Sequence, residues 1–201
     1  MSRRVVITGL GTVNPLGNNV HDFWEGVKEN RLGISKVEQF DTDSIGISVA
    51  GQVKDFEPTD FIDKKEAKRM ERFTQFAVVA SDEAIKDSGT DFKDIDPYRA
   101  GVIIGCGIGG IGLTLSEYEK FLNKGPNRVS PFYVPMMIGN MAAGQVSMKT
   151  GFKGDNFSTV TACASGTHAI GESFRKIKDG YVFAAVLNLQ YFSLRWQDLI
   201  I

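Results

Sequence analysis

Three short apolar segments that alternate with amphipathic stretches constrain the fold of this chain more than any other feature. They have the length and composition of buried strands: residues 101–105 (GVIIG), 156–162 (NFSTVTA) and 182–189 (VFAAVLNL). The sequence predicts helices between and beside them: residues 113–123, after a glycine-rich turn at 105–112, and residues 136–149 and 165–179. Strands that alternate with helices predict an α/β fold, with a mostly parallel sheet covered on both faces.

The amino-terminal part adds four more elements to this pattern. Residues 3–9 (RRVVITG) predict a strand, and residues 19–31 predict a helix. Residues 47–53 alternate in the manner of a strand, and residues 63–88 predict one long helix that Gly89 is placed to cap.

Composition excludes several classes of protein. Lys and Arg number 23 against 24 Asp and Glu, and this balance argues against a general nucleic-acid binder. Two cysteines, Cys106 and Cys163, cannot build a disulfide framework or a zinc module. Because prolines and polar residues interrupt the longest uncharged stretch, residues 129–148, no membrane span is predicted. We expect a cytoplasmic protein with no metal and no redox cofactor.

Cys163 lies where a predicted strand ends and a helix begins. The free N–H groups and dipole of a helix start stabilise a thiolate, which makes the sulfur nucleophilic. The small neighbours Ala164 and Gly166 leave room for a substrate beside the sulfur. An inert buried cysteine is the alternative, and the spacing alone leaves both interpretations open.

The sequence around this cysteine, VTACASGTHAIGESFRKIKDG, resembles the nucleophile region of the β-ketoacyl-acyl-carrier-protein synthases that elongate fatty acids. The resemblance continues in four further motifs: residues 3–17, 69–77, 105–110 and 130–144. It implies a thiolase-like layered α-β-α-β-α fold, of which this chain is mainly the N-terminal half. The implied reaction is decarboxylative condensation of an acyl thioester with malonyl-acyl-carrier protein in a homodimer.

The resemblance also implies roles for individual residues. Cys163 matches the nucleophile that accepts the acyl chain, and its own N–H matches one oxyanion donor. Ile108 matches the residue that gates the acyl pocket. Tyr133 matches a position, usually Phe, that reaches the pocket of the neighbouring subunit.

A basic stripe is predicted on the long helix. Its members fall at helical offsets of one another: Lys64, Lys65, Lys68, Arg69 and Arg72. The stripe is either a solvated face or, as the resemblance suggests, a docking site for the acidic carrier protein.

The chain departs from the family in two places. The family uses two histidines to stabilise the malonyl carbanion, whereas this chain has only His21 and His168, and neither lies in a matching motif. We interpret both as structural residues. Residues 182–201 form an apolar tail without glycine, so we assign residues 1–181 to the synthase domain and expect the C-terminal half to be missing. Such a chain would be inactive alone, and a non-catalytic thiolase-like partner subunit or remnant is the alternative.

Two weaker hypotheses remain. Gly105, Gly107 and Gly110 match a dinucleotide-binding GxGxxG pattern, but no acidic residue follows at the expected distance, so we expect no NAD site. A cysteine hydrolase would need a general base near Cys163, and no candidate is evident. Cys106, inside the glycine-rich turn, is interpreted as a small filler.

Overall fold

A computed structural model describes residues 3–38, 41–42, 46, 48–190 and 198–200, with only the backbone for 187–190 and 198–200. In this part of the chain the strands are β1 Gly11–Val13, β2 Ile34–Lys36, β3 Val49–Gly51, β4 Ala100–Cys106, β5 Asn156–Thr159, β6 Ala184–Gln190 and β7 Asp198–Ile200. The helices are α1 Val20–Lys28, α2 Lys64–Ala67, α3 Arg72–Asp87, α4 Ile111–Lys124, α5 Tyr133–Met137, α6 Met141–Thr150 and α7 Ser165–Lys178.

The central sheet has the strand order β1-β7-β6-β4-β5. β4 pairs in parallel with β5 on one side and with β6 on the other. β7 runs antiparallel to both β1 and β6, and β2 pairs with β3 in a separate hairpin. The three strands predicted from the apolar segments are therefore confirmed, although β5 ends three residues early.

Helices cover both faces of the sheet. Val102 and Ile104 of β4 lie in the main apolar core, which also holds residues of α3 and α6: Ala77, Val78, Ala80, Ala142, Ala143 and Val146. Successive residues of a strand face opposite sides, and Gly105 lies against Ser165 at the start of α7. The α/β arrangement predicted from the alternation of segments is confirmed.

The strand predicted over residues 3–9 is wrong, because the strand in this region is β1, Gly11–Val13. The N–H groups of Leu10 and Thr12 donate to Asp87 and Glu83 of α3, which holds the segment against that helix. Among the residues that the structure describes, β7 spans Asp198–Ile200 and pairs with Gly11–Val13 of β1. Residues 3–9 therefore have no strand partner among the described residues, and a strand requires one.

The single helix predicted over residues 63–88 is also wrong, because the structure divides it into α2 and α3. The Asp63 carboxylate accepts from the N–H groups of Lys65 and Glu66 and starts α2. The Glu71 carboxylate accepts from the Arg72 N–H and starts α3. Two N-terminal caps eight residues apart favour two helix starts over one continuous helix. Gly89, with φ of 61°, follows the end of α3 as predicted.

The helix predicted over residues 136–149 begins later, at Met141. Residues before it form the short helix α5, which places Pro135 within its first turn, where the missing N–H is tolerated. Ile138 then leaves the helical conformation, and a Cβ at Gly139 would lie 2.9 Å from the Cys106 sulfur. The close approach of Gly139 to Cys106 thus separates two helices that the sequence pattern joined.

The strand candidate over residues 47–53 is present as the three-residue strand β3, while Ile47 lies outside the described residues. No helix in the described ranges has both the length and the apolar character needed to cross a membrane.

Candidate active site

The carboxyl ends of β4 and β5 lie side by side, because Gly105 pairs with Thr159 in the parallel register. The segments that follow these strand ends emerge at the same edge of the sheet. One carries Ile108 and the other carries Cys163. In open α/β sheets this edge is where ligands bind.

Cys163 lies in one 3-10 turn, Ala162–Ala164, immediately before α7. Its side chain is exposed, so a substrate can reach the sulfur. Ala162 has φ of 49°, in the left-handed region that alanine rarely adopts, so the chain turns sharply before the cysteine. The inert buried cysteine that the spacing left open is therefore not what the structure shows at this position.

Ser165 holds the turn in this strained shape. Its buried hydroxyl donates to the Ala162 carbonyl oxygen at 2.7 Å and accepts from the Thr161 N–H at 2.9 Å. The Thr159 hydroxyl, at the end of β5, donates to the Ser165 carbonyl oxygen at 2.6 Å. These bonds fix both sides of Cys163 to the sheet, which preorganises the position of its sulfur.

His168 contributes to the same network. Its Nδ1 lies 2.8 Å from the Thr161 hydroxyl oxygen, two residues before Cys163 in the chain. The interpretation of His168 as a structural residue agrees with this bond. Sequence spacing missed the partnership with Thr161, since a loop residue bonded to a helix residue leaves no periodic signal.

The glycine-rich turn after β4 carries Ile108, whose side chain is exposed. Gly110 donates its N–H to the Met137 carbonyl oxygen at 2.8 Å, and this bond joins the turn to the end of α5. Gly109 has φ of 88°, a conformation that favours glycine. The structure thus places the Ile108 turn against the helix that carries Tyr133.

Tyr133 is half-buried, and its hydroxyl lies 3.3 Å from the Thr114 hydroxyl of α4. Nearby, the buried Glu117 carboxylate accepts from Lys120 Nζ at 2.6 Å and from the Ser130 N–H at 2.7 Å. These two hydrogen bonds, the one from Lys120 foremost, lower the pKa of Glu117 below its ordinary value. Glu117 therefore anchors the loop that leads into α5.

The basic residues occupy α2 and the turn after it. Lys64, Lys65, Lys68 and Arg69 are exposed, and the Arg69 guanidinium lies 5.0 Å from the centre of the Phe132 ring. This contact places the basic residues beside the start of α5. Because the helix breaks after α2, the predicted single helical stripe is wrong, and the four residues form a cluster on α2 and the turn after it instead.

Arg72 does not belong to this cluster. Its guanidinium lies over the rings of Phe56 and Phe76 and donates to the Val53 carbonyl oxygen. Because these contacts engage the Arg72 guanidinium, Arg72 is not part of the basic surface that the helical offset predicted.

Two glycines of the GxGxxG pattern, Gly105 and Gly110, allow close packing within the protein. A Cβ at Gly105 would meet the Ser165 backbone, and one at Gly110 would meet Glu71 and Met137. Cys106 is buried at the end of β4, in agreement with its interpretation as a filler. Across the described ranges, no three His, Cys, Asp or Glu side chains are grouped to hold a metal ion.

Comparison with known proteins identifies the family. A model described as the beta-ketoacyl synthase N-terminal domain matches residues 2–187. The chain is 47% identical over 184 residues to the 3-oxoacyl-[acyl-carrier-protein] synthase 2 of Synechocystis sp.. It is 49% identical over 179 residues to the protein of the same name from Staphylococcus aureus strain N315. These alignments cover 92% and 89% of this chain, but 44% and 43% of the relatives.

The fold agrees with this result. A solved structure of the ishigamide ketosynthase/chain length factor is similar with a TM-score of 0.85 at 27% identity, over 94% of this chain and 47% of that one. The expected thiolase-like layered fold, mainly its N-terminal half, is confirmed. The chain spans less than half the length of the curated relatives that it matches. The family match, the sequence identity and the shared fold show that the chain belongs to the β-ketoacyl synthase family and matches its N-terminal domain.

Proposed function

We propose that this chain supplies the nucleophile-bearing part of a 3-oxoacyl-[acyl-carrier-protein] synthase, an acyltransferase of fatty-acid elongation. The observation that carries the proposal is the exposed thiol of Cys163 in a strained turn at the start of α7. Curated relatives named for this activity are 47% and 49% identical to the chain. Because the proposed nucleophile is present and hydrogen bonds of Ser165 fix its turn, an enzyme is favoured over a non-catalytic partner subunit.

The proposed first step is transfer of an acyl group to Cys163. The Cys163 thiol gives up its proton, and the thiolate attacks the thioester carbonyl carbon. A new carbon–sulfur bond forms to Cys163, the carbon–sulfur bond to the carrier breaks, and the carrier thiolate takes up a proton as it leaves. The negative charge that develops on the carbonyl oxygen needs N–H donors. The Cys163 N–H forms no hydrogen bond within the described part of the chain, so it is available as one such donor.

The proposed second step is condensation. Malonyl-acyl-carrier protein loses carbon dioxide, and the resulting carbanion attacks the acyl-cysteine carbonyl carbon, which releases the Cys163 thiolate. Ile108 is proposed to gate the pocket of the acyl chain, because its turn and Cys163 follow neighbouring strand ends. The two histidines that the family uses for decarboxylation have no counterpart among His21 and His168.

The acyl-carrier protein is the proposed partner of the basic cluster, Lys64, Lys65, Lys68 and Arg69. The four side chains are exposed, and Arg69 contacts Phe132 beside α5. The cluster therefore lies near the wall of the site that Tyr133 and the Ile108 turn form. Complementary charge at this position would orient an acidic carrier as it delivers its thioester.

A homodimer is the proposed assembly. Ile111, Leu115, Tyr118 and Leu122 recur at helical spacing on α4, and all four are exposed. An apolar helix face of this kind marks a protein–protein interface. Tyr133 lies on the neighbouring α5, in keeping with its proposed reach toward the pocket of a second subunit.

Two further parts of the proposal concern the chain as a whole. We assign residues 1–181 to the synthase domain and residues 182–201 to an end of different character, although residues 184–190 still form β6. The cytoplasm is the proposed location, because a catalytic thiol needs a reducing compartment and neither cysteine is in a disulfide.

Incubation of the 201-residue chain with octanoyl-acyl-carrier protein tests the proposal. We expect one octanoyl group on the peptide that contains Cys163, detected by mass spectrometry, and none in Cys163→Ala. With malonyl-acyl-carrier protein added, we expect a condensation rate orders of magnitude below that of an intact synthase, since neither His21 nor His168 lies in a motif of the histidines that stabilise the carbanion. Absence of octanoyl transfer in a folded chain would contradict the proposal, whereas rapid condensation would contradict only the assignment of the histidines.

A further inference from the structure

Glu117 of α4 is a buried carboxylate that the proposed reaction does not use. The side chain is 3% exposed, and each of its oxygens has one partner. Oε1 accepts from Lys120 Nζ at 2.6 Å, and Oε2 accepts from the Ser130 N–H at 2.7 Å. A buried carboxylate is costly unless donors and an opposite charge satisfy it. Because Lys120 supplies that charge, Glu117 can present a strong, ionised acceptor to the loop at Ser130.

Ser130 connects this anchor to the start of α5. Its carbonyl oxygen accepts from the Tyr133 N–H at 3.0 Å, and its hydroxyl oxygen accepts from the Phe132 N–H at 3.2 Å. Both bonds lie in the turn that leads into α5, which begins at Tyr133. Because Glu117 holds the N–H of the same serine, the backbone of Tyr133 is fixed relative to α4.

The hydroxyl of Tyr133 is held by the same face of α4. Thr114 lies three residues before Glu117, and residues at this spacing share one face of a helix. The Thr114 hydroxyl donates to the Gly110 carbonyl oxygen at 3.1 Å, so the Tyr133 hydroxyl is the donor in its contact of 3.3 Å with Thr114. α4 therefore holds Tyr133 at two points, through its backbone and through its hydroxyl.

The segment around Tyr133 has little packing of its own. Within residues 131–135, Tyr133 alone is half-buried, and the other four residues are exposed. Exposed side chains contribute little burial energy, so hydrogen bonds account for much of the positioning of this segment. Loss of the Glu117 acceptor should therefore displace Tyr133.

We propose that Glu117 is a positioning residue for Tyr133 and thereby helps to set the length of the acyl chain that is accepted. This inference rests on the proposed function, in which Tyr133 reaches the acyl pocket of a second subunit. One methylene more or less in an apolar pocket changes specificity by about tenfold or more. A small displacement of the Tyr133 ring is therefore enough to alter the preference among acyl chains.

Fluorine NMR of the chain labelled with 3-fluorotyrosine tests the positioning directly. The Tyr133 resonance is identified by its absence from the spectrum of Tyr133→Phe. Glu117→Leu should shift or broaden this resonance, because the Ser130 N–H loses its acceptor. Glu117→Gln keeps a neutral acceptor oxygen, so it should give a smaller shift and provides the test if Glu117→Leu does not fold. Glu119→Leu, at an exposed position of the same helix, is the matched control and should leave the resonance unchanged.

The preference for acyl length is the functional readout. The ratio of the initial rates at which tetradecanoyl and octanoyl groups pass from acyl-carrier protein to Cys163 should change about threefold or more in Glu117→Leu, and not in Glu119→Leu. When Tyr133 is already replaced by alanine, Glu117→Leu should not change the ratio further, because Glu117 acts through Tyr133. A merely structural role would lower both rates together and leave their ratio unchanged.

An unchanged Tyr133 resonance in folded Glu117→Leu overturns the inference. So does a rate ratio that changes in Tyr133→Ala but not in Glu117→Leu. A ratio that Tyr133→Ala itself leaves unchanged contradicts the proposed function at Tyr133, and with it the effect on acyl length. The Tyr133→Ala result thus separates a failure of the proposed function from a failure of the role assigned to Glu117.

Discussion

Gly105 lies so close to Ser165 that a Cβ added to the glycine would be 2.5 Å from the serine carbonyl carbon. The strand β4 therefore supports the first turn of α7 directly, backbone against backbone. Since Cys163 lies two residues before Ser165, the height of its sulfur above the sheet depends on the missing side chain at Gly105.

Gly105→Ala should lower the rate of octanoyl transfer to Cys163 by about a hundredfold, because a shift of about 1 Å in a reacting group has that effect. It should also destabilise the fold by about 1–3 kcal/mol through overpacking. Thermal denaturation and the mass-spectrometric transfer assay measure the two effects. Gly171→Ala, in α7 with open space around its Cβ position, is the control and should leave transfer unchanged.

The two thiols should differ in reactivity. Cys163 is exposed, whereas Cys106 is 3% exposed at the end of β4, so iodoacetamide should label Cys163 about ten times faster or more. Peptide mapping of the time course gives both rates in one experiment. Equal rates, or faster labelling of Cys106, would show that Cys163 is not presented as the structure places it.

Charge reversal in the basic cluster should weaken binding of the acyl-carrier protein. Lys65→Glu and Arg69→Glu should each raise the dissociation constant about three- to fivefold, the usual magnitude for an exposed ion pair, and added salt should weaken the wild-type complex. Isothermal titration calorimetry measures both. Lys93→Glu reverses the charge of a side chain that is 86% exposed and lies outside the cluster. An equal loss of affinity in this variant would show that the cluster is a solvated face with no role in docking.

The α4 face should mediate self-association. Leu115→Glu places a charge in the proposed apolar interface of each subunit, so the dimer dissociation constant should rise about tenfold or more. Sedimentation velocity across a range of concentrations detects the change. Leu32→Glu, also at an exposed leucine, is the control. A wild-type chain that stays monomeric at high concentration would rule out this interface.

The hydrogen bonds of Glu117 should make the loop before α5 sensitive to acid. The folded state lowers the pKa of Glu117, so its contribution to stability is present above the ordinary value of 4.5 and is lost as the pH falls through the lowered value. Glu117→Gln should therefore destabilise the chain at neutral pH, and the difference from the wild type should shrink in acid. Denaturant melts at several pH values test this, with Glu119→Gln, at an exposed position of the same helix, as the control.

The local sequence identified the elements that form through short-range patterns. The strand pattern of β5 and the helical spacing of α7 predicted both elements and placed Cys163 between them. The spacing of apolar residues did not show where one helix ends and the next begins. The caps of Asp63 and Glu71 divide one apparent helix, and this division changed a predicted stripe into the cluster around Lys65.

The sequence by itself determined the α/β class and the family resemblance, and it singled out Cys163 as the proposed nucleophile, because periodicity and motifs are properties of neighbouring residues. Only the tertiary structure decided how the turn that carries Cys163 is held, since Thr161, Ser165 and His168 meet through hydrogen bonds that leave no periodic trace. It also decided that residues 3–9 form no strand. An extended segment becomes a strand when another backbone lies beside it, and that partner is supplied by the assembled sheet rather than by the segment.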